Sequence, residues 1–183
     1  MSASILKIAL PYIVEILTYI YNCCIKFNLF PTTWKLAKVV PVPKTLDGSD
    51  KNNFRPISIL PVLSKPLERH IQKHVADFIE NNNLFHKLQS GFRRYHSCTT
   101  ALTHMCDTWL SAINNLKMTG VVFLDFSKAF DLIDHSVLIS KLQVYLQNKD
   151  TICLIKSFLE HRHQCVALNG TFSETREVLL GVP

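Results

Sequence analysis

Nine consecutive residues constrain this chain more than any other stretch: Phe123-Leu124-Asp125-Phe126-Ser127-Lys128-Ala129-Phe130-Asp131. The apolar run Val121 to Leu124 reads as a strand that delivers one carboxylate, Asp125, at its end. A large aromatic, Phe130, follows five residues later. An isolated Asp at a strand end usually caps a turn, and an isolated Phe usually packs a core. Together, at this spacing, they form a specific pair. A strand at this point also means that the fold contains a sheet and not helices alone.

The rest of the chain is mixed. Leu63, Leu67, Ile71, Val75, Phe78 and Ile79 predict one helix, ended by Asn81-Asn82-Asn83, and Leu102, Met105, Trp109, Ile113 and Leu116 predict another before Gly120. Val137, Leu138, Leu142, Tyr145 and Leu146 predict a third helix. A fourth buries Ile152, Ile155, Phe158 and Leu159 behind an N-cap at Asp150. Val39, Val40 and Val42 mark a short strand in a basic setting. Asp47-Gly48 signals a turn, and Phe54 to Leu60 reads as the return strand, with Pro56 at an edge or irregular position. Gln164 to Leu168 and Glu177 to Leu180 read as strands around the Asn169-Gly170 turn. Helices and strands without regular alternation predict an α+β, helix-rich fold.

Ile5 to Phe30 is dense in apolar residues, but Pro11, Glu15, Asn22 and Lys26 interrupt it before about 20 clean residues accumulate. It lacks the charged start and small-residue cleavage site of a signal peptide. Ile13, Leu17, Ile20, Cys24 and Phe27 recur at helical steps, so the segment is expected to be an amphipathic helix docked on a core, with no membrane partner. A net charge of +6 suits a polyanionic partner without establishing one. The six cysteines form no C-x-x-C pair and no zinc spacing, and read as reduced residues of an intracellular protein. Asn169-Gly170-Thr171 reads as a hairpin turn rather than a glycosylation acceptor.

The chemistry that uses such a carboxylate and aromatic is nucleotidyl transfer. Two divalent ions about 3.5–4 Å apart hold the attacking and leaving oxygens. Magnesium takes hard oxygen ligands and keeps waters, so a few carboxylates and substrate phosphates suffice. Asp125 could bridge both ions, with the Phe126 carbonyl as a further ligand. A ring at Phe130 beside the sugar would collide with a 2′-hydroxyl and tolerate the hydrogen of a deoxynucleotide.

Asp125-Phe126-Ser127-Lys128-Ala129-Phe130-Asp131 resembles the first palm motif of reverse transcriptases of the non-LTR (LINE-like) retrotransposons. Phe30-Pro31 with Trp34-Lys35 is similar to that family's entry segment. Phe54-Arg55-Pro56-Ile57-Ser58 with Ser64-Lys65-Pro66-Leu67-Glu68-Arg69 resembles its fingers motif. Gln89-Ser90-Gly91-Phe92-Arg93 resembles the next fingers motif, and Gly181-Val182-Pro183 the opening of the following palm motif.

The resemblance implies an RNA-directed DNA polymerase with two Mg2+ ions, an RNA template, a DNA primer and deoxynucleoside triphosphates. It makes Asp125 the first catalytic metal ligand, aided by Phe126, and Phe130 the steric gate. Lys44 and Arg55 would meet the triphosphate, although Lys44 reads equally well as a solvated loop lysine. Gly91, Phe92, Arg93 and Arg94 would face the template, or form a tight turn with exposed arginines. Asp131, Asp134 and His135 fall at a helix entrance, where capping and local hydrogen bonding are expected rather than a metal cluster. The implied architecture is an incomplete right-hand polymerase: an N-terminal helical segment over 1–30, fingers over 31–118 and a partial palm over 119–183, with no thumb.

After Gly-Val-Pro the family continues with Gln-Gly-Ser and a hairpin of paired aspartates, neither of which is in these residues. This polypeptide alone is therefore expected to be inactive, with an exposed palm-sheet edge. The competing readings are a non-catalytic nucleic-acid-binding remnant and a membrane-surface or scaffold helix built on residues 5–30. No obligate protein partner is inferred. No targeting signal is seen, and the family points to cytoplasm and nucleus.

Overall fold

The computed structural model describes residues 3–44 and 53–182. In chain order it contains α1 (Ala3–Lys26), a short 3-10 turn (Thr32–Trp34), β1 (Leu36–Pro43), β2 (Phe54–Ile59), α2 (Ser64–Asn81) and α3 (Cys98–Asn114). There follow α4 (His135–Tyr145), α5 (Lys149–Leu159), β3 (Arg162–Leu168), β4 (Thr171–Phe172) and β5 (Arg176–Val178). The mixture of helices and a mixed sheet matches the expected class; the Asp47-Gly48 turn lies outside the described residues. The chain divides into two compact units: residues up to Val75 together with those from Lys128 onward, and Ala76–Ser127.

The first unit is built on a sheet ordered β2-β1-β3-β4, with β5 also paired to β3. β1 and β2 run antiparallel, with Val42 opposite Arg55 and Pro43 opposite Phe54. Pro41 faces Pro56, so two residues without an N–H share one register position. Beyond the strand, the Lys44 amide still donates to the Asn53 carbonyl at 2.8 Å. β1 pairs in parallel with β3, Leu36 opposite His163 through Val39 opposite Val166. The strand expected to start at Gln164 starts at Arg162, and both β4 and β5 return antiparallel to it. Asn169 and Gly170 take positive φ at the turn between β3 and β4, as a tight hairpin requires.

The core gathers Cys24, Phe30, Trp34 and Leu67, with Ile20, Tyr21, Leu63, Ile71 and Phe158 packed around them. The Phe30 ring meets Trp34 and Phe158 edge-on at 6.0 and 4.9 Å, and Tyr21 tilts against Trp34 at 5.6 Å. Polar ties fix the same segment to α5: the Phe30 amide donates to Ser157 Oγ at 2.9 Å, and Lys35 Nζ to the Glu160 carbonyl at 3.1 Å. Burial holds the Lys35 ammonium below its usual pKa. At the start of α2, Ser64 is fully buried and its hydroxyl donates to the Pro61 carbonyl at 2.8 Å. The cap of α5 differs from expectation. Asn148, not Asp150, accepts the Thr151 amide at 3.1 Å, while Asp150 in the first turn accepts from Asn28 Nδ2 at 2.9 Å.

Two further expectations are corrected. α1 forms, but only its C-terminal end docks through Ile20, Tyr21 and Cys24. Ile5, Ile8, Tyr12, Ile16 and Tyr19 form an exposed stripe, because the described residues offer no face to cover it. The helix is long and apolar enough to cross a membrane by length and composition. The strand at Val121 to Leu124 does not form. No described residue pairs with it, and a strand exists only as one member of a hydrogen-bonded ladder. Val122, Phe123 and Leu124 are accordingly more than four-fifths exposed, at 83, 81 and 85%.

In the second unit, α3 begins with a reciprocal capping box. The Thr100 amide donates to Ser97 Oγ at 3.1 Å, and the Ser97 amide to Thr100 Oγ1 at 2.9 Å. The α2 end lies here too: Asn83 takes φ 53° and the Leu84 amide reaches back to the Ile79 carbonyl at 3.0 Å, a left-handed stop at the expected Asn run.

Candidate nucleotide and template site

The turn that follows Asp125 folds tightly. Lys128 takes φ 55°, and its carbonyl accepts the Asp131 and Leu132 amides at 3.0 and 3.2 Å. Lys128 and Asp131 line a cleft of about 650 Å³ together with Lys44 and Arg55 from the β1–β2 pair. Phe54 and Val166 complete its floor and walls. Among the described residues, three cationic side chains and one carboxylate line this cleft, a positive balance suited to a polyanion. Lys44 and Arg55, anticipated from the motifs, thus border one space. Lys128 was missed by sequence reasoning. Its position inside the palm motif was visible, but the turn that brings it to the β1–β2 pair was not.

A neighbouring cavity of about 440 Å³ is lined by Arg162, His163, Ser58 and Gly181 and shares Lys128 and Asp131 with the first. Arg162 is buried at 2% exposure, donates from Nη1 to the Phe158 carbonyl at 2.9 Å and stacks over the Phe158 ring at 4.6 Å. Burial pushes its pKa down, opposed by the Glu68 carboxylate.

Phe130 is 56% exposed. Downstream, Asp134 caps α4: one carboxylate oxygen accepts the Ser136 and Val137 amides at 2.7 and 3.2 Å. The Ser136 hydroxyl and these amides hold its carboxyl below the usual range. His135 does something else, placing Nε2 at 2.7 Å from the Gly181 carbonyl.

Asp125, Phe126 and the Gly91–Arg94 group belong to the second unit, whose boundary falls between Ser127 and Lys128. Asp125 and Phe126 are exposed. Asp125 and the Phe126 carbonyl offer hard oxygens of the kind magnesium takes, but among the described residues no group of three acidic, His or Cys side chains could hold a metal ion.

The two arginines behave differently. Arg93 is turned inward, with Nη2 2.8 Å from Glu80 Oε1 and its guanidinium 5.1 Å above the Phe85 ring. That hydrogen bond holds the Glu80 carboxyl below its usual range. Arg94 is 65% exposed and pairs with Asp77 at 3.2 Å. Phe92 and Tyr95, both at φ 60°, are 91 and 98% exposed on either side of the arginines. A Cβ added at Gly91 would meet nothing within 4 Å, so within this unit no close approach requires a glycine. Tyr95 is the aromatic that motif reading passed over.

A family model described as "Reverse transcriptase (RNA-dependent DNA polymerase)" matches residues 42–183. The chain belongs to the reverse transcriptase family. Its curated relatives place this reverse transcriptase segment in the non-LTR retrotransposon branch. It is 32% identical over 168 residues to the "Probable RNA-directed DNA polymerase from transposon BS" of Drosophila melanogaster, covering 91% of this chain and 18% of that protein. To the "RNA-directed DNA polymerase from mobile element jockey" of the same organism it is 31% identical over 176 residues, 92% of this chain and 18% of the relative. A "Retrovirus-related Pol polyprotein from type-1 retrotransposable element R2" of Popillia japonica matches at 29% identity over 82% of the chain and 20% of its own length. The reverse transcriptase segment thus spans about a fifth of the length of these relatives.

Proposed function

We propose that this segment selects and holds the incoming deoxynucleotide, and faces the template, in an RNA-directed DNA polymerase. The observation that carries the reading is the cleft where Lys44, Arg55 and Lys128 converge. Cationic donors at one concave surface neutralise the charge spread over a triphosphate's oxygens. Phe130, in the same unit, supplies the ring that excludes a 2′-hydroxyl. Phe92, Arg94 and Tyr95 supply exposed aromatic faces and a cation for a template strand, while Arg93 fixes that loop through Glu80 and Phe85.

Asp125, with the Phe126 carbonyl, is the donor this segment contributes to divalent-ion chemistry with Mg2+. The partners in this reading are an RNA template, a DNA primer and deoxynucleoside triphosphates in an intracellular setting, with 31–118 acting as fingers and 119–183 as part of a palm. The C-terminal end of α1, through Ile20, Tyr21 and Cys24, is assigned to packing, and no membrane partner is proposed. The 183-residue chain alone is expected to bind nucleotide without polymerising it.

The test is equilibrium binding of a fluorescent deoxynucleoside triphosphate to the chain at low salt. Arg55→Ala, Lys128→Ala and their combination should weaken binding progressively. Equal affinity in wild type and the double variant would refute the assignment of the cleft.

A further inference from the structure

The residues Leu180, Gly181 and Val182 run as a strap along the turn that carries Phe130. The Val182 amide donates to the Phe130 carbonyl at 3.0 Å, and the Gly181 amide to the Ile133 carbonyl at 2.8 Å. Leu180 forms an antiparallel bridge with Asp134. His135 closes the loop from the other side, with Nε2 at 2.7 Å from the Gly181 carbonyl. A carbonyl only accepts, so Nε2 is the nitrogen that carries the proton.

Gly181 is required for this approach. It sits at φ +83°, and a Cβ there would lie 2.7 to 2.9 Å from the backbone O, C and Cα of Asp131. No side chain fits between strap and turn. Gly181 is buried, whereas the Phe130 ring is more than half exposed. The strap grips the main chain of the residue that carries this ring.

We propose that the strap and His135 are a positioning device for sugar discrimination. His135 holds Gly181, the Gly181–Val182 amides hold the Phe130–Ile133 backbone, and that backbone aims the ring at the 2′ position of the nucleotide. This rests on the reading of Phe130 as the steric gate. His135 touches no substrate; it acts through Gly181 and Val182.

The experiment compares deoxy- and ribonucleotide kcat/KM in a polymerase-competent polypeptide carrying this segment, for Phe130→Val, His135→Ala, His135→Gln and the Phe130→Val/His135→Ala pair. Phe130→Val should erode the preference for deoxynucleotides. His135→Ala should erode it by about ten- to a hundredfold, a misplacement of about 1 Å costing up to about a hundredfold. His135→Gln, whose amide can still donate to the carbonyl, should restore most of it. The pair should be no worse than Phe130→Val alone, because both act on one ring. If Phe130→Val relaxes selection and His135→Ala does not, the positioning role is overturned while the gate stands. If Phe130→Val changes nothing, the gate reading fails and the positioning role falls with it. Should His135→Ala yield no active enzyme, amide exchange in the 183-residue chain decides. The Gly181 and Val182 amides should exchange at least about tenfold faster in His135→Ala than in wild type or His135→Gln, with α5 amides unchanged. Equal protection in all three overturns the proposal.

Discussion

Leu67 is 1% exposed in the cluster where α2 meets Cys24, Phe30 and Trp34, so Leu67→Ala is the sharpest probe of that core. The substitution removes three buried carbons. At about 0.8 kcal/mol each, transfer alone accounts for about 2.4 kcal/mol. A residual cavity raises the expected loss to about 3 kcal/mol, inside the range of about 2–5 for buried Leu→Ala. With a urea slope of about 2 kcal/mol/M, the unfolding midpoint should fall by about 1.5 M. Trp34 fluorescence in a Trp109→Phe background reads this core directly. The control is Leu124→Ala, at a position 85% exposed, which should cost no more than about 0.5 kcal/mol. A loss under about 1 kcal/mol at Leu67, or equal losses at the two positions, would refute the description of the core.

In a polymerase-competent polypeptide, Arg55→Ala and Lys128→Ala should each raise the KM for deoxynucleotides by about tenfold, the scale of one hydrogen bond to a charged group, and lower kcat less. Steady-state kinetics at two salt concentrations checks this. Phe130→Val should admit ribonucleotides, and unchanged discrimination would show that the ring is not the gate. The Glu80–Arg93 pair sets an acid dependence. Its carboxyl is depressed in the folded state, so the unfolded chain binds the extra proton. The pair's contribution is then complete at neutral pH and fades as pH falls below about 4.3 toward the depressed folded value. Thermal melts should show wild type losing stability on acidification more steeply than Glu80→Gln. Asp134→Ala should loosen the first turn of α4, with Asp134→Asn retaining most of the cap, as amide exchange at Ser136 and Val137 would show.

The helices were legible because periodicity reports a local property. The stripe of α2 places Leu67 in the core, and the Asn run stops the helix at a left-handed residue. The β1–β2 pair and the Asn169-Gly170 turn were legible for the same reason. What was not legible depended on partners distant in sequence. Val121 to Leu124 has the composition of a strand, but composition supplies no ladder. α1 has a second apolar stripe, and nothing in its own residues says whether that stripe is covered. At the site, the family resemblance singled out Lys44, Arg55 and Phe130. Lys128 was passed over because its role arises from a tight turn, and His135, expected to cap or bond locally at the helix entrance, instead reaches a carbonyl 46 residues downstream. Arg93 read as a template contact, and only the fold shows its guanidinium shared between Glu80 and Phe85.

The most direct test of the account is primer extension on an RNA template by a polymerase-competent polypeptide carrying this segment, wild type against Asp125→Asn, with nucleotide binding measured in parallel. The account predicts that Asp125→Asn binds deoxynucleotide through the Lys44, Arg55 and Lys128 cleft and extends no primer. Extension by Asp125→Asn at the wild-type rate would contradict it.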